Sequence, residues 1–347
     1  MKVAFLTKKS FFEISEETID KRLNDDEVLV KISGTGICGS DLHYFRHGAL
    51  GSMKPNYPIS LGHETAGIII DNNKSKFKNY TNVIIDPLDI SNCASDIDKE
   101  ICNCGLMHNL CKHGSYLGAY PMQGSFREIM ILKKNQLTIL DKSIDPKTAP
   151  MIEPCGIAQY AIDKATINLE KDNNILILGA GGIGLILCSL LYKKGIKNIT
   201  ILDKNKYRLD AAKKTFYAKN IIYEDLKSKS NKDPKNHNFN YIFDFITTNA
   251  SFEYGFKSIS PAGKYIVIGI PEVDFIEINP HKARIKEIDI INIRRSNVKF
   301  HRMQKIILEQ SIPIKKLVTH RFKLDEIQKA FNIASNYKNL IIRGVVG

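Results

Sequence analysis

The stretch Ile175-Leu-Ile-Leu-Gly-Ala-Gly-Gly-Ile-Gly184 decides the fold of the second part of this chain. Its first four residues are apolar, as in a buried strand, and G-x-G-x-x-G follows them directly before a helical pattern. Glycines here allow a tight turn and a close approach of the backbone to a pyrophosphate at the helix N-terminus. The stretch therefore predicts a dinucleotide-binding turn formed by Gly179, Gly181, Gly182, Ile183 and Gly184.

Apolar strands alternate with amphipathic helices on both sides of this turn, from residue 157 to 294. One of these helices is predicted from about 206 to 219, and the lysine-rich segment 226–240 is predicted to be a surface insertion. Alternating strands and helices are typical of a parallel sheet covered by helices on both faces. The predicted fold class is therefore α/β, with a doubly wound parallel sheet.

Asp203 ends the next predicted strand, 19 residues after Gly184. A carboxylate at this place accepts hydrogen bonds from the ribose hydroxyls of the adenosine and repels a 2′-phosphate, which favours NAD over NADP. Lys204 and Arg208 lie nearby and weaken that preference. The alternative for Asp203 is an ordinary helix N-cap.

The first part of the chain, residues 1–156, contains short β-branched runs separated by Gly, Pro and Asn, which predict a compact β-rich domain. Within it, Cys38, His63 and Glu64 lie beside glycines. A thiolate, an imidazole and a carboxylate together suit zinc, and three protein ligands leave a fourth position open, as in catalytic sites. Alone, Cys38 could equally be a buried thiol and His63 a core histidine, but their combination favours the metal.

Two motifs carry a resemblance, namely Gly36-Ile-Cys-Gly-Ser-Asp-Leu-His-Tyr-Phe-Arg-His-Gly48 and Leu61-Gly-His-Glu64. They resemble the zinc-dependent medium-chain alcohol and polyol dehydrogenases, above all the sorbitol and L-idonate 5-dehydrogenase branch. The resemblance covers nearly the whole chain. It implies a GroES-like catalytic domain at 1–156, a Rossmann domain at 157–294, and a C-terminal part, 295–347, that returns to the catalytic domain.

The resemblance also implies a reaction, the transfer of a hydride from a secondary hydroxyl to NAD+. The substrate would be a polyol or a sugar acid, such as sorbitol, xylitol or L-idonate. Glu64 and Glu153 belong to the implied catalytic set, and Glu153 either binds the zinc or holds a water on it. The proton would leave through Ser40, the ribose hydroxyl and His43, for which the alternative is an ordinary surface histidine.

Two further residues resemble substrate-contacting positions of the polyol branch, Tyr44 and Arg295. An arginine fork binds hydroxyls or a carboxylate well. A shift of one residue would replace Arg295 by Arg294, and the alternative role for the arginine is a solvated side chain.

Four of the seven cysteines, Cys93, Cys102, Cys104 and Cys111, lie within 19 residues. The family often holds a structural zinc here with the spacing C-x2-C-x2-C-x7-C, whereas this chain has C-x8-C-x-C-x6-C. Four thiolates can still close a tetrahedral site. We expect either a second, structural zinc or a vestigial loop of free thiols.

The net charge of +13 raises the question of nucleic acid as a partner. The lysines are scattered and form no basic stripe, which argues against nucleic-acid binding. No apolar segment is long enough for a membrane span, and the apolar run at the start is too short for a signal peptide. We expect a cytoplasmic protein with reduced thiols, a small-molecule substrate and a homo-oligomeric state, a dimer or a tetramer.

Two rival functions remain open on the sequence. One is an oxidation of an amino alcohol, as in threonine dehydrogenases. The other is a non-catalytic protein that binds NAD and zinc and senses redox state through the cysteine lobe, the segment 91–113 that contains the four clustered cysteines. The intact set of metal ligands and relay residues argues against the second, because a binding protein needs no proton relay.

Overall fold

The computed structural model describes residues 1–19, 22–51, 53–93, 107–226 and 238–347. They form two compact units. The first unit comprises Met1–Gly156, Ser296–Glu309 and Leu317–Gly347, and the second comprises Ile157–Arg295 and Gln310–Lys316. Within the described ranges, no helix combines the length and the apolar character needed to cross a bilayer.

The strands and helices of the described residues are numbered along the chain. The strands are β1 (Lys2–Lys8), β2 (Phe11–Glu16), β3 (Glu27–Gly36), β4 (Glu64–Asp71), β5 (Asn82–Ile85), β6 (Leu88–Asp89), β7 (Ser115–Tyr116), β8 (Ile129–Lys133), β9 (Leu137–Ile139), β10 (Asn174–Leu178), β11 (Asn198–Asp203), β12 (Asn220–Tyr223), β13 (Phe239–Asp244), β14 (Ile259–Val267), β15 (Asp289–Asn292), β16 (Val318–Phe322) and β17 (Arg343–Val346). The α-helices are α1 (Gly39–His47), α2 (Ile152–Ala165), α3 (Gly182–Lys193), α4 (Lys206–Lys214), α5 (Asn249–Ser258), α6 (Pro280–Ile285), α7 (Phe300–Glu309) and α8 (Ile327–Ser335).

The first unit is built on a seven-stranded sheet in the order β16-β17-β3-β4-β5-β9, with β8 paired to β3. Alternate residues of β3, Val28, Val30 and Ile32, are buried in one hydrophobic cluster. This alternation with β-branched side chains explains why the segment forms a strand with one face in the core.

Two residues separate the end of β3 from the start of α1. Helix α8, from the C-terminal part of the chain, packs against α1. Phe45 of α1 and Phe331 of α8 pack with their ring centroids 5.3 Å apart. Strand β17 pairs antiparallel with β3, with Val346 opposite Thr35 and Val345 opposite Gly36. The C-terminal residues therefore fix the place where β3 gives way to α1.

The second unit contains a six-stranded sheet in the order β12-β11-β10-β13-β14-β15, and every pair in it is parallel. Counted within the unit this is the order 3-2-1-4-5-6 of dinucleotide-binding folds, whose crevice opens where the order reverses. The central strand β10 is fully buried from Ile175 to Leu178, as expected for a parallel strand covered on both faces. The predicted doubly wound α/β fold class is confirmed.

Two details of the second unit differ from the sequence prediction. The helix predicted to reach residue 219 ends at Lys214, and Tyr217 has a left-handed backbone (φ 67°) that a helix cannot contain. Five residues separate Lys214 from strand β12, which begins at Asn220 and was not predicted. The predicted surface insertion lies largely outside the described residues, which resume at residue 238.

Candidate active site

Cys38 occupies the N-cap position of α1. Its backbone is extended (φ −86°, ψ 159°), and its N–H donates to Oδ2 of Asp41 at 3.0 Å. The helix ends at His47, and its C-cap Gly48 has φ of 70°. The junction between β3 and α1 therefore places a thiol at the positive end of a helix, where an anion is favoured.

His63 and Glu64 come from the start of β4. The ligand atoms of Cys38, His63 and Glu64 all lie within 4.8 Å of one another. His63 and Glu64 are buried, and Cys38 is half-buried. The structure thus brings together the three residues that the sequence predicts as metal ligands.

Asp41 stands behind this group. It is 2% exposed, accepts hydrogen bonds from the N–H groups of Cys38 and Gly62, and has Oδ1 3.7 Å from Nδ1 of His63. Burial raises the pKa of Asp41, while His63 and the N–H donors act in the opposite direction. The 3.7 Å separation is longer than a hydrogen bond, and the charge of a carboxylate there favours an imidazole that carries its proton on Nδ1.

Arg343 of β17 was missed by the sequence analysis. Its Nη2 donates to Oε1 of Glu64 and its Nη1 to the carbonyl oxygen of Ile37 at 2.9 Å. Glu64 is 0% exposed, and its buried Oε2 has no hydrogen-bond partner among the residues that the structure describes. A Cβ on Gly36 would lie 2.3 Å from this Oε2, so only glycine leaves room for the carboxylate. An arginine within the apolar run 341–346 was the signal for this pairing.

Glu153 lies in the first turn of α2 and is 3% exposed. Its Oε1 accepts a hydrogen bond from Oη of Tyr116 at 3.4 Å, and its buried Oε2 has no partner within the described ranges. Burial and the neighbouring Glu64 raise the pKa of Glu153 to about 7, against the opposing effects of His63 and Arg343. Among the described residues, Glu153 is not part of the group whose ligand atoms lie within 4.8 Å.

These residues fit a zinc ion. The set offers one sulfur, one nitrogen and carboxylate oxygens, as zinc sites do. One carboxylate oxygen of Glu64 and one of Glu153 are buried with no hydrogen-bond partner in the described part of the chain, which is costly unless a cation or a water satisfies them. Burial, followed by Glu64, holds the pKa of the Cys38 thiol well above its usual range, and a bound cation would reverse that effect.

The predicted relay and substrate residues lie at different depths. Ser40 and His43 are half-buried on α1, and the His43 ring lies 5.9 Å from the ring of His47. Tyr44 is buried in an apolar cluster with Phe45, and burial raises its pKa. The roles of these residues stay predictions.

Arg295 is half-buried and has a left-handed backbone with φ of 56°, whereas Arg294 is exposed. Arg295 is the residue at which the second unit passes into the first. Its role in substrate binding also stays a prediction.

The glycine turn of the second unit has the geometry that its sequence predicts. Gly179 has φ of 104°, and Gly181 is the N-cap of α3. Gly182 and Ile183 form the first turn of that helix. A Cβ on Gly184 would lie 2.2 Å from the carbonyl oxygen of Gly179, so α3 can approach β10 only with glycine there.

Asp203 fastens this turn to the end of β11. Its Oδ2 accepts a hydrogen bond from the N–H of Ala180 at 2.7 Å, and its Oδ1 accepts from the backbone and side chain of Asn205 at 2.7 and 3.0 Å. Lys204 is exposed with its Nζ 4.0 Å from Asp225. Arg208 is buried and donates to Oη of Tyr207 at 3.1 Å.

The cysteine lobe is described only in part. Cys93 and Cys111 are buried beside Ile90, while Cys102 and Cys104 lie outside the described residues. The predicted structural zinc therefore stays a prediction.

Comparison with known proteins gives two family matches. Residues 24–142 match the alcohol dehydrogenase GroES-like domain, and residues 182–310 match the family described as zinc-binding dehydrogenase. Together these matches span more than half of the chain.

Relatives and solved structures extend over nearly all of the chain. Sorbitol dehydrogenase of Bacillus subtilis (strain 168) is 28% identical over 340 residues, which are 96% of this chain and 94% of that protein. L-idonate 5-dehydrogenase of Vitis vinifera is 27% identical over 329 residues, 91% of this chain and 86% of that protein. The crystal structure of L-idonate 5-dehydrogenase from Escherichia coli K-12 has a similar fold, with a TM-score of 0.86 at 22% identity, covering 99% of this chain and 97% of that one.

These matches agree with the two folds and the metal motif described above, and they confirm the resemblance seen in the sequence. The chain belongs to the family of zinc-dependent alcohol and polyol dehydrogenases.

Proposed function

We propose that this protein is a zinc- and NAD-dependent dehydrogenase that oxidises a secondary hydroxyl of a polyol or a sugar acid. The observation that carries the proposal is the convergence of Cys38, His63 and Glu64, where Oε2 of Glu64 is buried with no hydrogen-bond partner among the described residues. The names of the relatives, sorbitol dehydrogenase and L-idonate 5-dehydrogenase, support the substrate class.

Cys38, His63 and Glu64 would hold the zinc, and Glu153 would be either a fourth ligand or the holder of a water beside it. When bound, the metal supplies a Lewis acid that stabilises negative charge on the substrate oxygen. Asp41 would favour a His63 imidazole with its proton on Nδ1, and Arg343 binds one oxygen of Glu64 and leaves the other for the metal.

Proton movement is assigned to residues of the first unit. Ser40 and His43 follow Cys38 on the same helix and would lead the substrate proton outward, together with a ribose hydroxyl of the cofactor.

The nucleotide would bind at the turn after β10, with its pyrophosphate at the N-terminus of α3. The carboxylate of Asp203 already accepts three hydrogen bonds from the protein, and its lone pairs offer about four sites, so about one site remains for a ribose hydroxyl. The negative charge of Asp203 disfavours a 2′-phosphate. NAD is therefore proposed over NADP.

A panel of substrates, followed by NADH absorbance, tests the proposal. Sorbitol, xylitol and L-idonate should be oxidised with a higher kcat/KM than ethanol, because their additional hydroxyls or carboxylate can form hydrogen bonds with Tyr44 and Arg295 that ethanol cannot form. A preference for L-threonine would favour the amino-alcohol alternative. Absence of turnover on the whole panel, with zinc and NAD bound, would favour the redox sensor. The expected dimer or tetramer stays a prediction.

A further inference from the structure

Ser125 contacts the chain on both sides of the proposed metal ligands His63 and Glu64. Its backbone N–H donates to the carbonyl oxygen of Gly62 at 3.0 Å. Its hydroxyl is hydrogen-bonded to the hydroxyl of Thr65. One residue therefore holds the positions directly before and directly after the ligand pair.

The hydroxyl of Ser125 belongs to a hydroxyl cluster that also contains Thr35 and Thr65. Oγ1 of Thr35 lies 3.1 Å from both the carbonyl oxygen and Oγ of Ser125, and 3.5 Å from Oγ1 of Thr65. All three residues are 0% exposed. Thr35 and Thr65 are opposite residues of the paired strands β3 and β4, so the hydroxyl cluster joins both strands to the segment around Ser125.

The turn that carries His63 is tightly enclosed by the same segment. Gly62 has φ of 97°, and a Cβ there would lie 2.8 Å from Cγ2 of Thr35 and 3.0 Å from Oγ of Ser125. A Cβ on Gly124 would lie 2.2 Å from the carbonyl group of Leu61. Because these backbones are in contact, a displacement of Ser125 displaces the residues next to His63.

We propose that the hydroxyl cluster positions His63 and Glu64 for metal binding, with Ser125 and Thr65 as positioning residues. This inference rests on the proposed function, since it requires a metal at Cys38, His63 and Glu64. Loss of the Thr65 hydroxyl leaves Oγ of Ser125 with Thr35 as its partner in the hydroxyl cluster, and loss of the Ser125 hydroxyl leaves Oγ1 of Thr65 with the 3.5 Å contact to Thr35. The buried hydroxyl that loses a hydrogen bond is then stabilised by a movement of the turn. Loss of residues that orient metal ligands typically lowers metal affinity by about 10- to 100-fold.

Thr65→Val and Thr65→Ser form a matched pair that tests the role of the hydroxyl. The first removes the hydroxyl at nearly constant shape, and the second keeps the hydroxyl and removes the methyl group. Zinc affinity is measured by competition with a chromophoric chelator, and ligand geometry by the visible absorption of the cobalt-substituted protein. Thr65→Val should bind zinc about 10- to 100-fold more weakly with shifted cobalt bands, and Thr65→Ser should resemble the wild type.

Ser125→Ala is an independent second variant and should weaken zinc binding in the same way. Thr200→Val is the control, because it removes a hydroxyl of a 5% exposed threonine in β11 of the second unit, where Asn220 donates to it. The control should lower thermal stability without changing zinc affinity.

Three outcomes would overturn the inference. Wild-type zinc affinity and cobalt bands in Thr65→Val and Ser125→Ala would do so and leave the proposed function standing. Equal weakening by Thr65→Ser would assign the effect to packing of the methyl group. A zinc affinity that Cys38→Ser leaves unchanged would instead overturn the proposed function together with the inference.

Discussion

Buried charge is the main physical constraint on the single residues of the site. Glu64 and Glu153 are 0% and 3% exposed, and the guanidinium of Arg343 pairs with Glu64. Isolated buried charges cost several kcal/mol each, which a paired charge or a bound cation offsets. The site therefore depends on Arg343 to offset the charge of Glu64 before any metal binds. A bound metal would offset the remaining buried negative charge.

Arg343→Met should lower the free energy of unfolding of the metal-free protein by about 3–5 kcal/mol, because Glu64 would become an uncompensated buried carboxylate. Urea unfolding measures this change. Lys305→Met is the control, since its exposed pair with Glu309 has Nζ and Oε1 3.7 Å apart, and such pairs contribute about 0–1 kcal/mol. A loss for Arg343→Met no larger than for Lys305→Met would contradict the prediction.

The titration of Glu153 gives the metal-free protein a pH dependence. Its pKa is about 7 in the folded protein against an ordinary value of 4.5, so between these values the folded protein keeps a proton that the unfolded chain releases. The stabilising contribution is complete below the lower value and is lost as the pH rises through the higher one. Glu153→Gln cannot ionise and should flatten the fall in unfolding free energy over this range. Identical slopes for the two proteins would count against the raised pKa.

At the scale of elements, the predictable parts are those whose signal is local. The strand β10, its glycine turn and α3 follow one another in sequence. The apolar run, the glycines and the helical pattern can therefore be recognised in one continuous stretch. Strand β12 was missed because three of its four residues are exposed and it lacks an apolar alternation. It forms only because the end of β11 offers an edge to pair with.

The site shows the same division between local and distant signals. Cys38 and the pair His63–Glu64 were predicted because each sits in a short motif at the end of β3 or the start of β4. Arg343 reaches Glu64 across 279 residues, through the pairing of β17 with β3. No local pattern encodes that pairing, and an arginine in an apolar run was its only trace.

The turn after β10 and the end of β11 are joined by one side chain, Asp203. Asp203→Ala should lower kcat/KM for NAD by roughly 10- to 100-fold, since hydrogen bonds to a charged group contribute about 1.5–3 kcal/mol. The kcat/KM for NADP should fall less, because the repulsion between the Asp203 carboxylate and the 2′-phosphate disappears. Asp203→Asn retains an oxygen acceptor for the N–H of Ala180 and is the matched control.

Steady-state kinetics with both cofactors measure the two values. The prediction requires the wild type to prefer NAD. It also requires the ratio of kcat/KM for NAD to kcat/KM for NADP to be smaller in Asp203→Ala than in the wild type. A wild type that prefers NADP would contradict it and assign the specificity to Lys204 and Arg208.

At the scale of the whole molecule, the two sets of candidate metal ligands both belong to residues 1–156 and differ in their expected roles. The first set is Cys38, His63 and Glu64. The second contains Cys93 and Cys111, which are 2% and 7% exposed. Near Cys93, Nζ of Lys133 lies 3.1 Å from Oδ2 of Asp89, which ties the start of the lobe to β8. Chemistry should depend on the first set and the stability of the lobe on the second.

Zinc content per chain separates these two roles. If both sets bind, the wild type should contain about two zinc ions per chain, and Cys38→Ser should lose one together with turnover, because the soft ligand is lost. Cys104→Ser should also lose one ion, yet keep turnover and unfold at a lower temperature, because a structural zinc contributes to folding. Cys188→Ala, at a fully buried thiol in α3 of the second unit, should change neither the zinc content nor turnover.

Metal analysis, activity and thermal unfolding on the same samples measure all three quantities. One zinc in the wild type, with no change in unfolding temperature for Cys104→Ser, would mean that the lobe is a vestigial loop. Full turnover after a chelator has removed the zinc would contradict the catalytic role of the first set.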